Sequence, residues 1–448
     1  MVEATGSMPG ESRARSRSAV RNFLQATEID TRMLGMVAAL AIVWIGFHMM
    51  SAWRATGNPL AFGSGIFLTP RNLWNLSVQT SSISVMATGM VLVIVSRNID
   101  LSVGSLLGFV GMVMGSFQVE LLPKLVGFDW PLTWLLTLAV GIVLGGLVGA
   151  FQGFIVAFIG IPAFIVTLGG LLVWRGSAWW VASGRTIAPL DTTFQLLGGG
   201  AYGSIGATAS WIVGGVASVG IVIGIMNARR QRRRFNFPLR PMWAEVTLAV
   251  IGCGAVLGAV GVANSYPWPA GLARQYAEAH NIPWPEQGLF IPIGIAVPVL
   301  VAVGVALIMT FITKRTRFGR YVFAIGGNPE AAELGGINTR WVTMKIFILL
   351  GMLVAVSAAI STARLNAATN ALGTNDELYT IAAAVIGGTS FTGGIGTVPG
   401  AILGALVMQS LQSGMVLMGI DAPMQNIVVG FVLVFAVGID ITYRKRQV

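Results

Sequence analysis

Apolar runs of about twenty residues recur along this chain, and they limit its fold more than any other feature. A helix of that length crosses the hydrocarbon core of a bilayer, where the backbone polar groups find no partner outside their own segment. The composition agrees, since 55% of the 448 residues are hydrophobic, 10% are charged and the mean hydropathy is +0.77. The sequence therefore predicts an all-α polytopic bundle embedded in a membrane, and it excludes a water-soluble globular domain.

Twelve spans are predicted, within a range of ten to twelve. They cover approximately residues 33–50, 73–95, 104–122, 132–158, 161–183, 209–227, 243–263, 290–312, 346–366, 378–390, 397–418 and 423–441. The tenth is short, which leaves open whether it is a full span or a broken, re-entrant segment. No loop is long enough for a separate soluble domain. We expect one transmembrane domain over residues 31–448, preceded by a basic tail, residues 1–30, that its composition predicts to be disordered.

Positive charge predicts the orientation. With both termini in the cytoplasm, 21 of the 28 Lys and Arg fall in cytoplasmic segments, and the other seven fall on the opposite side. This bias is typical of inner-membrane proteins. The run RRQRRRF from Arg229 is then interpreted as a juxtamembrane anchor near anionic lipid headgroups. The net charge of +11 follows from the membrane location, so no nucleic-acid partner is expected.

Glycines four residues apart mark three helices for close packing. Such spacing places them on one helix face, where a neighbouring backbone can approach. They are Gly141, Gly145, Gly149 and Gly153; Gly396, Gly400 and Gly404; and Gly104 and Gly108. The main interpretation is packing within the subunit; a lining of the translocation path or a subunit interface stays open.

Few acidic residues lie near the predicted spans, so each needs an explanation. Asp100 precedes the helix expected from about Val103, and it is either the N-cap of that helix or a residue of a gate, with Arg97 available to neutralise it. Asp376 and Glu377 precede the short tenth span, and we interpret them as the solvated first turn of a helix.

The polar stretch Lys314–Lys345 interrupts the apolar pattern with KRTRFGRYVFAIGGNPEAAELGGINTRWVTMK. Gly326 and Gly327 read as a turn, Asn328 as an N-cap, Pro329 as the first helical residue, and Gly335 with the following glycine as the end of the helix. A two-turn helix is marginal alone in water. We therefore expect this helix to lie on the cytoplasmic face and to dock against a soluble partner.

The sequence lacks the residues that ATP hydrolysis, metal binding or ion coupling would need. No Gly-rich loop ends in Gly-Lys-Ser/Thr, so the chain has no ATP-binding motif of that kind and is not expected to hydrolyse ATP. One Cys and two His offer neither a disulfide nor a metal site. Ion coupling usually needs paired buried ionisable groups, and the predicted spans contain only Asp100 and Asp440. We expect no catalytic residue, no metal and no cofactor.

Two segments show the same order of sequence features, which is a weak indication of an internal repeat. Val93–Gly108 and Val385–Gly404 each end an apolar run, break in a turn of small polar residues and restart on glycines four apart. In the predicted topology both run in the same direction through the membrane, as parallel repeats of transporters do.

Four motifs carry a resemblance to a known family. They are IDLSVGS at Ile99–Ser105, PAFIVTLG at Pro162–Gly169, FGRYVFAIGGNPEAAELGGIN at Phe318–Asn338 and VIGGTSFTGGIGTVPGAILGA at Val385–Ala405. With them the chain resembles the permease subunits of ribose/xylose-type sugar ABC importers from about Thr69 to Ile441. The additional pair of spans around Arg229 is most similar to the permeases for D-xylose.

The resemblance implies a multi-pass permease of the bacterial inner membrane that imports a pentose, D-xylose foremost. It further implies a second permease copy, a cytoplasmic ATP-binding subunit that supplies the hydrolysis, and a periplasmic sugar-binding protein. The residues implied in coupling to the ATPase are Gly326, Gly327, Asn328, Glu330, Ala331, Ala332 and Gly335. The residues expected in the path or gate are Asp100, Ser102, Gly104, Ser105, Gly387, Gly388, Thr389, Gly393 and Gly394.

Alternatives stay open at this stage. Within the family, the substrate is alternatively ribose, galactose or another small sugar. From another class, an ion-driven secondary sugar transporter would lose uptake with a protonophore and would need no ATPase. A membrane-embedded enzyme would need a convergent nucleophile or metal cluster, against which the scarcity of His, Cys and buried carboxylates argues.

Overall fold

A computed structural model of the protein describes residues 22–445. Over this range the chain is helical, with isolated β-bridges in place of strands. Ten of the described helices are long and apolar enough to cross a membrane. The helical polytopic bundle predicted from the apolar runs is therefore confirmed. Residues 1–21, which make up most of the predicted tail, lie outside the described residues.

The principal helices are α1 (Thr31–Thr56), α2 (Pro70–Val95), α3 (Val103–Ser116), α4 (Thr133–Phe154), α5 (Ala163–Ala182), α6 (Gly206–Arg234), α7 (Met242–Asn264), α8 (Val297–Arg315), α9 (Arg317–Gly327), α10 (Pro329–Leu334), α11 (Thr339–Leu365), α12 (Asp376–Ile386), α13 (Val398–Leu417) and α14 (Ala422–Lys445). Wider π-helical turns, Phe117–Leu121 and Ile155–Ile159, extend α3 and α4. Short helices at Pro123–Val126, Thr192–Gln195 and Ala270–Ala279, and 3-10 turns at Phe62–Ser64 and Leu196–Gly198, lie in connections.

The predicted tenth span is broken. Its helical part, α12, has 11 residues, which span only about 16 Å. Residues 366–375 lead to α12 as irregular chain packed against α3: a Cβ added to Gly108 would lie 2.7 Å from the carbonyl oxygen of Leu372. The backbone of Gly373 likewise abuts the carbonyl of Gly104. Irregular backbone is tolerated at membrane depth where protein covers it, and α3 gives that cover.

The eighth span begins later than predicted. The apolar run starts near residue 290, but α8 starts at Val297. The backbone between residue 290 and Val297 forms hydrogen bonds with the chain at the start of α6. The carbonyl groups of Ile295 and Ile293 accept from the amides of Ile205 (3.0 Å) and Gly206 (3.1 Å), respectively. Hydropathy measures burial and cannot distinguish this paired, extended segment from the first turns of a helix.

The glycine stripe of α4 packs against α11 within the subunit, as predicted. A Cβ on Gly149 would overlap the carbonyl oxygen of Phe347, and one on Gly145 would overlap that of Gly351. A Cβ on Gly153 would lie 2.9 Å from the Cα of Met344. Beside this pair of helices, α2 forms the centre of the bundle, and its residues from Thr80 to its last residue are all buried.

The basic run from Arg229 is more ordered than a loop. It continues α6 to Arg234, beyond the predicted end of the sixth span at residue 227, and Arg229 pairs with Glu245 at 2.8 Å. Glu28 accepts from Arg232 at 2.6 Å and from Arg240 at 2.8 Å. Hydrogen bonds from these two guanidinium groups lower the pKa of the Glu28 carboxyl to about 2. The two pairs of Glu28 are partly exposed, so they orient the segment more than they stabilise it.

Gly149→Ala is expected to destabilise the protein by about 1–3 kcal/mol, because the added methyl group must displace the backbone of α11. The matched control is Gly169→Ala on α5, where an added Cβ meets no atom within 4 Å. The control should be neutral or stabilising by up to about 1 kcal/mol. The fraction of monodisperse protein after heating in detergent measures the stability of both variants. Equal loss in the two variants would contradict the close α4–α11 contact.

Candidate functional site

The polar stretch forms two cytoplasmic helices, of which only the second was predicted. Gly326 and Gly327 are the last residues of α9, so their interpretation as a turn is wrong. An amphipathic pattern explains α9, whose buried residues Gly319, Val322 and Gly326 recur every three or four positions. Sequence inspection missed it because the run of Arg and Gly resembles a loop.

The short helix α10 is confirmed in detail. Asn328 is its N-cap, with Oδ1 accepting from the amide of Ala331 at 3.0 Å, and Pro329 is its first residue. The helix ends at Leu334, and Gly336 follows with φ +82°. This backbone conformation is one that glycine adopts without steric cost.

The residues expected to couple to an ATPase divide by exposure. Gly326 and Ala332 are buried and hold the two helices to the bundle. Gly327, Asn328, Glu330, Ala331 and Gly335 are exposed at the cytoplasmic face. Leu334, which was not among the predicted residues, is the most prominent, with 91% of its surface exposed. An apolar residue at the end of a short polar helix was the signal that could have identified it.

Arg97 contacts the end of α9 and not Asp100, contrary to expectation. Its Nε donates to the carbonyl oxygen of Gly326 at 2.8 Å, and its Nη2 donates to that of Gly327 at 2.7 Å. The last carbonyl groups of a helix lack partners within the helix, and a cation there also meets the negative end of the helix dipole. Arg97 therefore binds the turn after α2 to the end of α9.

Three backbones meet at this point. The amide of Gly394 donates to the carbonyl oxygen of Val95 at 2.9 Å. A Cβ on Gly326 would overlap that same carbonyl oxygen and would lie 2.5 Å from the amide nitrogen of Gly394. We call this contact of Val95–Arg97, Gly326–Gly327 and Gly393–Gly394 the cytoplasmic junction. It joins the end of α2, the end of α9 and the loop between α12 and α13 through direct backbone contacts, to which the side chain of Arg97 adds.

Asp100 shapes the turn that precedes α3, and Ser102 is the residue at the cap position. The Oδ1 of Asp100 accepts from the amide and from the hydroxyl of Ser102, both at 2.7 Å. The amide Nε2 of Gln152 on α4 donates to that hydroxyl at 2.9 Å. Asp100 is buried in this connection between spans, and burial raises the pKa of its carboxyl to about 6, although the bonds from Ser102 oppose the shift.

The start of α3 meets α12. The hydroxyl of Ser105 donates to the carbonyl of Ser102 at 2.9 Å, and Gly104 abuts the carboxylate of Glu377. Glu377 is buried, so its interpretation as a solvated residue is wrong. Its Oε2 has no hydrogen-bond partner among residues 22–445. The packing of α3 over the first turn of α12 removes it from water, which the sequence alone could not indicate.

The remaining gate candidates lie in the loop between α12 and α13. Gly387 packs against the carbonyl group of Gly400, Gly388 has φ +86°, and Thr389 is buried. Of all the gate candidates, Gly393 and Gly394 are the ones that contact the end of α9 directly. Asp100, Ser102, Gly104 and Ser105 form a separate cluster at the start of α3, joined to the junction through the turn that carries Arg97.

Comparison with known proteins places this geometry in a family. The family described as branched-chain amino acid transport system / permease component matches residues 192–437. The xylose transport system permease protein of Haemophilus influenzae is 37% identical over 94% of this chain and 98% of its own length. The corresponding Escherichia coli protein is 36% identical over 95% of each chain, and the E. coli ribose import permease is 30% identical over 85% of this chain and 88% of its own. No solved structure matches significantly.

The match to the relatives covers 94% of this chain and 98% of the xylose permease of Haemophilus influenzae. The ten helices that are long and apolar enough to cross a membrane agree with such a permease. The chain belongs to this family of permease components, and it is a permease subunit of the ribose/xylose-type sugar ABC importers, a multi-pass protein of the inner membrane.

Proposed function

We propose that the chain forms the transmembrane path of an ATP-driven importer for a pentose, with D-xylose as the first candidate. Relatives named for xylose transport are 36–37% identical to it, whereas those named for ribose and D-allose are 30% and 27% identical. The proposed assembly contains a second permease copy, a cytoplasmic ATP-binding subunit and a periplasmic sugar-binding protein. Reconstitution with these partners should give xylose uptake that requires ATP and persists with a protonophore; uptake abolished by the protonophore would contradict the proposal.

The observation that supports this proposal is the cytoplasmic junction. Next to it α10 is largely exposed, with Ala332 buried, while Gly326 near the end of α9 is buried against two other segments. A partner that displaces α10 moves Gly326 with it, because only Asn328 separates α9 from α10. Gly326 in turn contacts Val95 and Gly394 backbone to backbone. Such contacts transmit small displacements, since close-packed interiors deform little.

The proposed response is a repacking of the two gate regions. The α12–α13 loop contains positive-φ residues Gly388, Gly393 and Gly394, whose backbones can change conformation without a clash of side chains. The turn after α2 also begins with a positive-φ residue, Arg97. Movement of these turns shifts α3, α12 and α13. Opening of the path to one side or the other then follows from binding and hydrolysis of ATP by the partner.

Gly326→Ala is expected to reduce xylose uptake about tenfold or more, because its methyl group separates the three backbones of the junction. Gly327→Ala is the matched control: the same change one residue later meets no atom within 4 Å. ATP-dependent uptake into proteoliposomes, with protein recovery as reference, measures both. Equal uptake by the two variants would contradict the role of the junction.

Leu334→Asp is expected to weaken binding of the ATPase and to reduce stimulated ATP hydrolysis about tenfold, since an exposed apolar residue at a contact is replaced by a charge. Leu239→Asp makes the same change at a residue that is 45% exposed in the other cytoplasmic segment. This control should bind the ATPase normally. Co-purification and hydrolysis rates distinguish them, and normal coupling in the Leu334 variant would exclude a docking role for this side chain.

Asp100→Asn is expected to retain at least about half of the uptake, because an amide oxygen can accept the two bonds from Ser102. Asp100→Ala removes the acceptor from a buried turn and should cost about 1–3 kcal/mol of stability. Melting in detergent and uptake are compared for the two variants. A stable Asn variant without uptake would indicate instead that the negative charge itself acts in the gate.

A further inference from the structure

Two adjoining cavities open beside α2 and α11, away from the cytoplasmic junction; the inner one is also lined by α13 and the outer one by residues 192–203. The inner one has a volume of about 370 Å³ and the outer one about 810 Å³. Both are lined by Asn75, Gln79 and Arg364, so these three residues lie at the boundary between the cavities. Either volume suits a small organic ligand.

The inner cavity is lined mainly by polar groups, and half of these are amides. Gln409 donates through Nε2 to the side-chain oxygens of Gln79 and Gln412, both at 3.1 Å. This chain of bonds fixes three glutamines and leaves the Nε2 groups of Gln79 and Gln412 as donors without partners among the described residues. The side chains of Asn75 and Arg364 also make no hydrogen bond within residues 22–445 and face the cavities.

The end of the inner cavity nearest the bundle core is closed. Ser82 of α2 lies 2.6 Å from the hydroxyl of Ser357 and 2.7 Å from that of Ser361, both on α11. Beyond this contact the residues of α2 are buried through to its cytoplasmic end. The cavities therefore form a polar pocket that ends within the bundle, with the gate regions between it and the cytoplasm.

We propose that these cavities receive the transported solute, and that Asn75, Gln79 and Arg364 at their boundary select a neutral, polyhydroxylated molecule. The proposal rests on the function proposed above and names the residues that contact its substrate. Each sugar hydroxyl both donates and accepts a hydrogen bond, and an amide side chain offers both groups. Arg364 adds donors only, and Asp376 in the inner cavity adds acceptors.

The charge of the pocket argues against an ionic solute. Arg364 and Asp376 line the same inner cavity with opposite charges, and the other polar groups are neutral amides and hydroxyls. An anion would be repelled by Asp376 and a cation by Arg364, whereas a neutral polyol meets hydrogen-bonding groups over most of the inner cavity. Few contacts to a ligand in open cavities give weak binding, which suits a path from which the solute must leave.

The first test compares Gln79→Leu and Asn75→Leu with Gln231→Leu in the full transporter, with its ATPase and binding protein. Gln231 lies at the exposed cytoplasmic end of α6, outside the cavities. The cavity variants should lower xylose transported per ATP hydrolysed about tenfold while ATP hydrolysis stays within about twofold of the wild type. The control should retain both rates.

The outcomes separate this inference from the proposed function. Full uptake by both cavity variants, beside ATP-dependent uptake by the wild type, overturns the inference alone. Absence of ATP-dependent uptake in the wild-type assembly overturns the proposed function and the inference that rests on it. Parallel loss of ATP hydrolysis and uptake in the cavity variants would indicate a structural role and would also overturn the inference.

A second measurement does not require the protein to fold with leucine at the cavity positions. The chain has one cysteine, Cys253, so Cys253→Ser gives a background without thiols. In that background Asn75→Cys should react with a membrane-impermeant maleimide added from outside, and D-xylose in the buffer should slow the reaction about twofold or more, whereas the acyclic anion gluconate should not. No reaction, or equal rates with and without xylose, would overturn the inference.

Discussion

Close contact between backbones holds this bundle together, and the path that it encloses depends on that contact. Lipid provides no hydrophobic force between helices, so cohesion comes from tight packing and internal hydrogen bonds. Glycine permits that packing where α4 meets α11, where α3 meets the irregular chain before α12, where α12 meets α13, and at the cytoplasmic junction. At each of them a single methyl group would overlap or crowd a neighbouring backbone.

The same contact explains how a displacement at the surface can reach the interior. α10 is short and only one residue separates it from α9, whose last turn lies against the end of α2 and the loop between α12 and α13. Arg97 adds two charge-assisted hydrogen bonds from the turn after α2. In the mechanism that we propose, this rigid contact and the positive-φ turns beside it together permit concerted movement of α3, α12 and α13.

Local signals were sufficient where the chemistry is local. The Asn-Pro-Glu sequence predicted α10 and its cap because an N-cap depends on residues three positions apart. The four-residue spacing of glycines predicted a packing face for the same reason. Arg97 and Glu377 were interpreted wrongly, since Arg97 binds a carbonyl group more than two hundred residues away and Glu377 is buried by the packing of another helix, α3. The sequence did not predict a role for the cavity residues Asn75 and Gln79, because an amide side chain on an apolar helix does not indicate which residues lie beside it.

The sequence by itself determined that this protein is a helical membrane bundle with a short capped helix between two of its spans, and it predicted the orientation that places this helix in the cytoplasm. These properties follow from hydropathy, charge bias and capping, each of which acts over one or two helical turns or within one loop. Only the tertiary structure decided that α12 is half a span, that the end of α9 contacts the turn after α2 and the loop between α12 and α13, and that amides from two different helices, with an arginine from a third, surround one cavity. Those facts depend on which helices pack together, and many combinations of apolar faces would satisfy the membrane equally well.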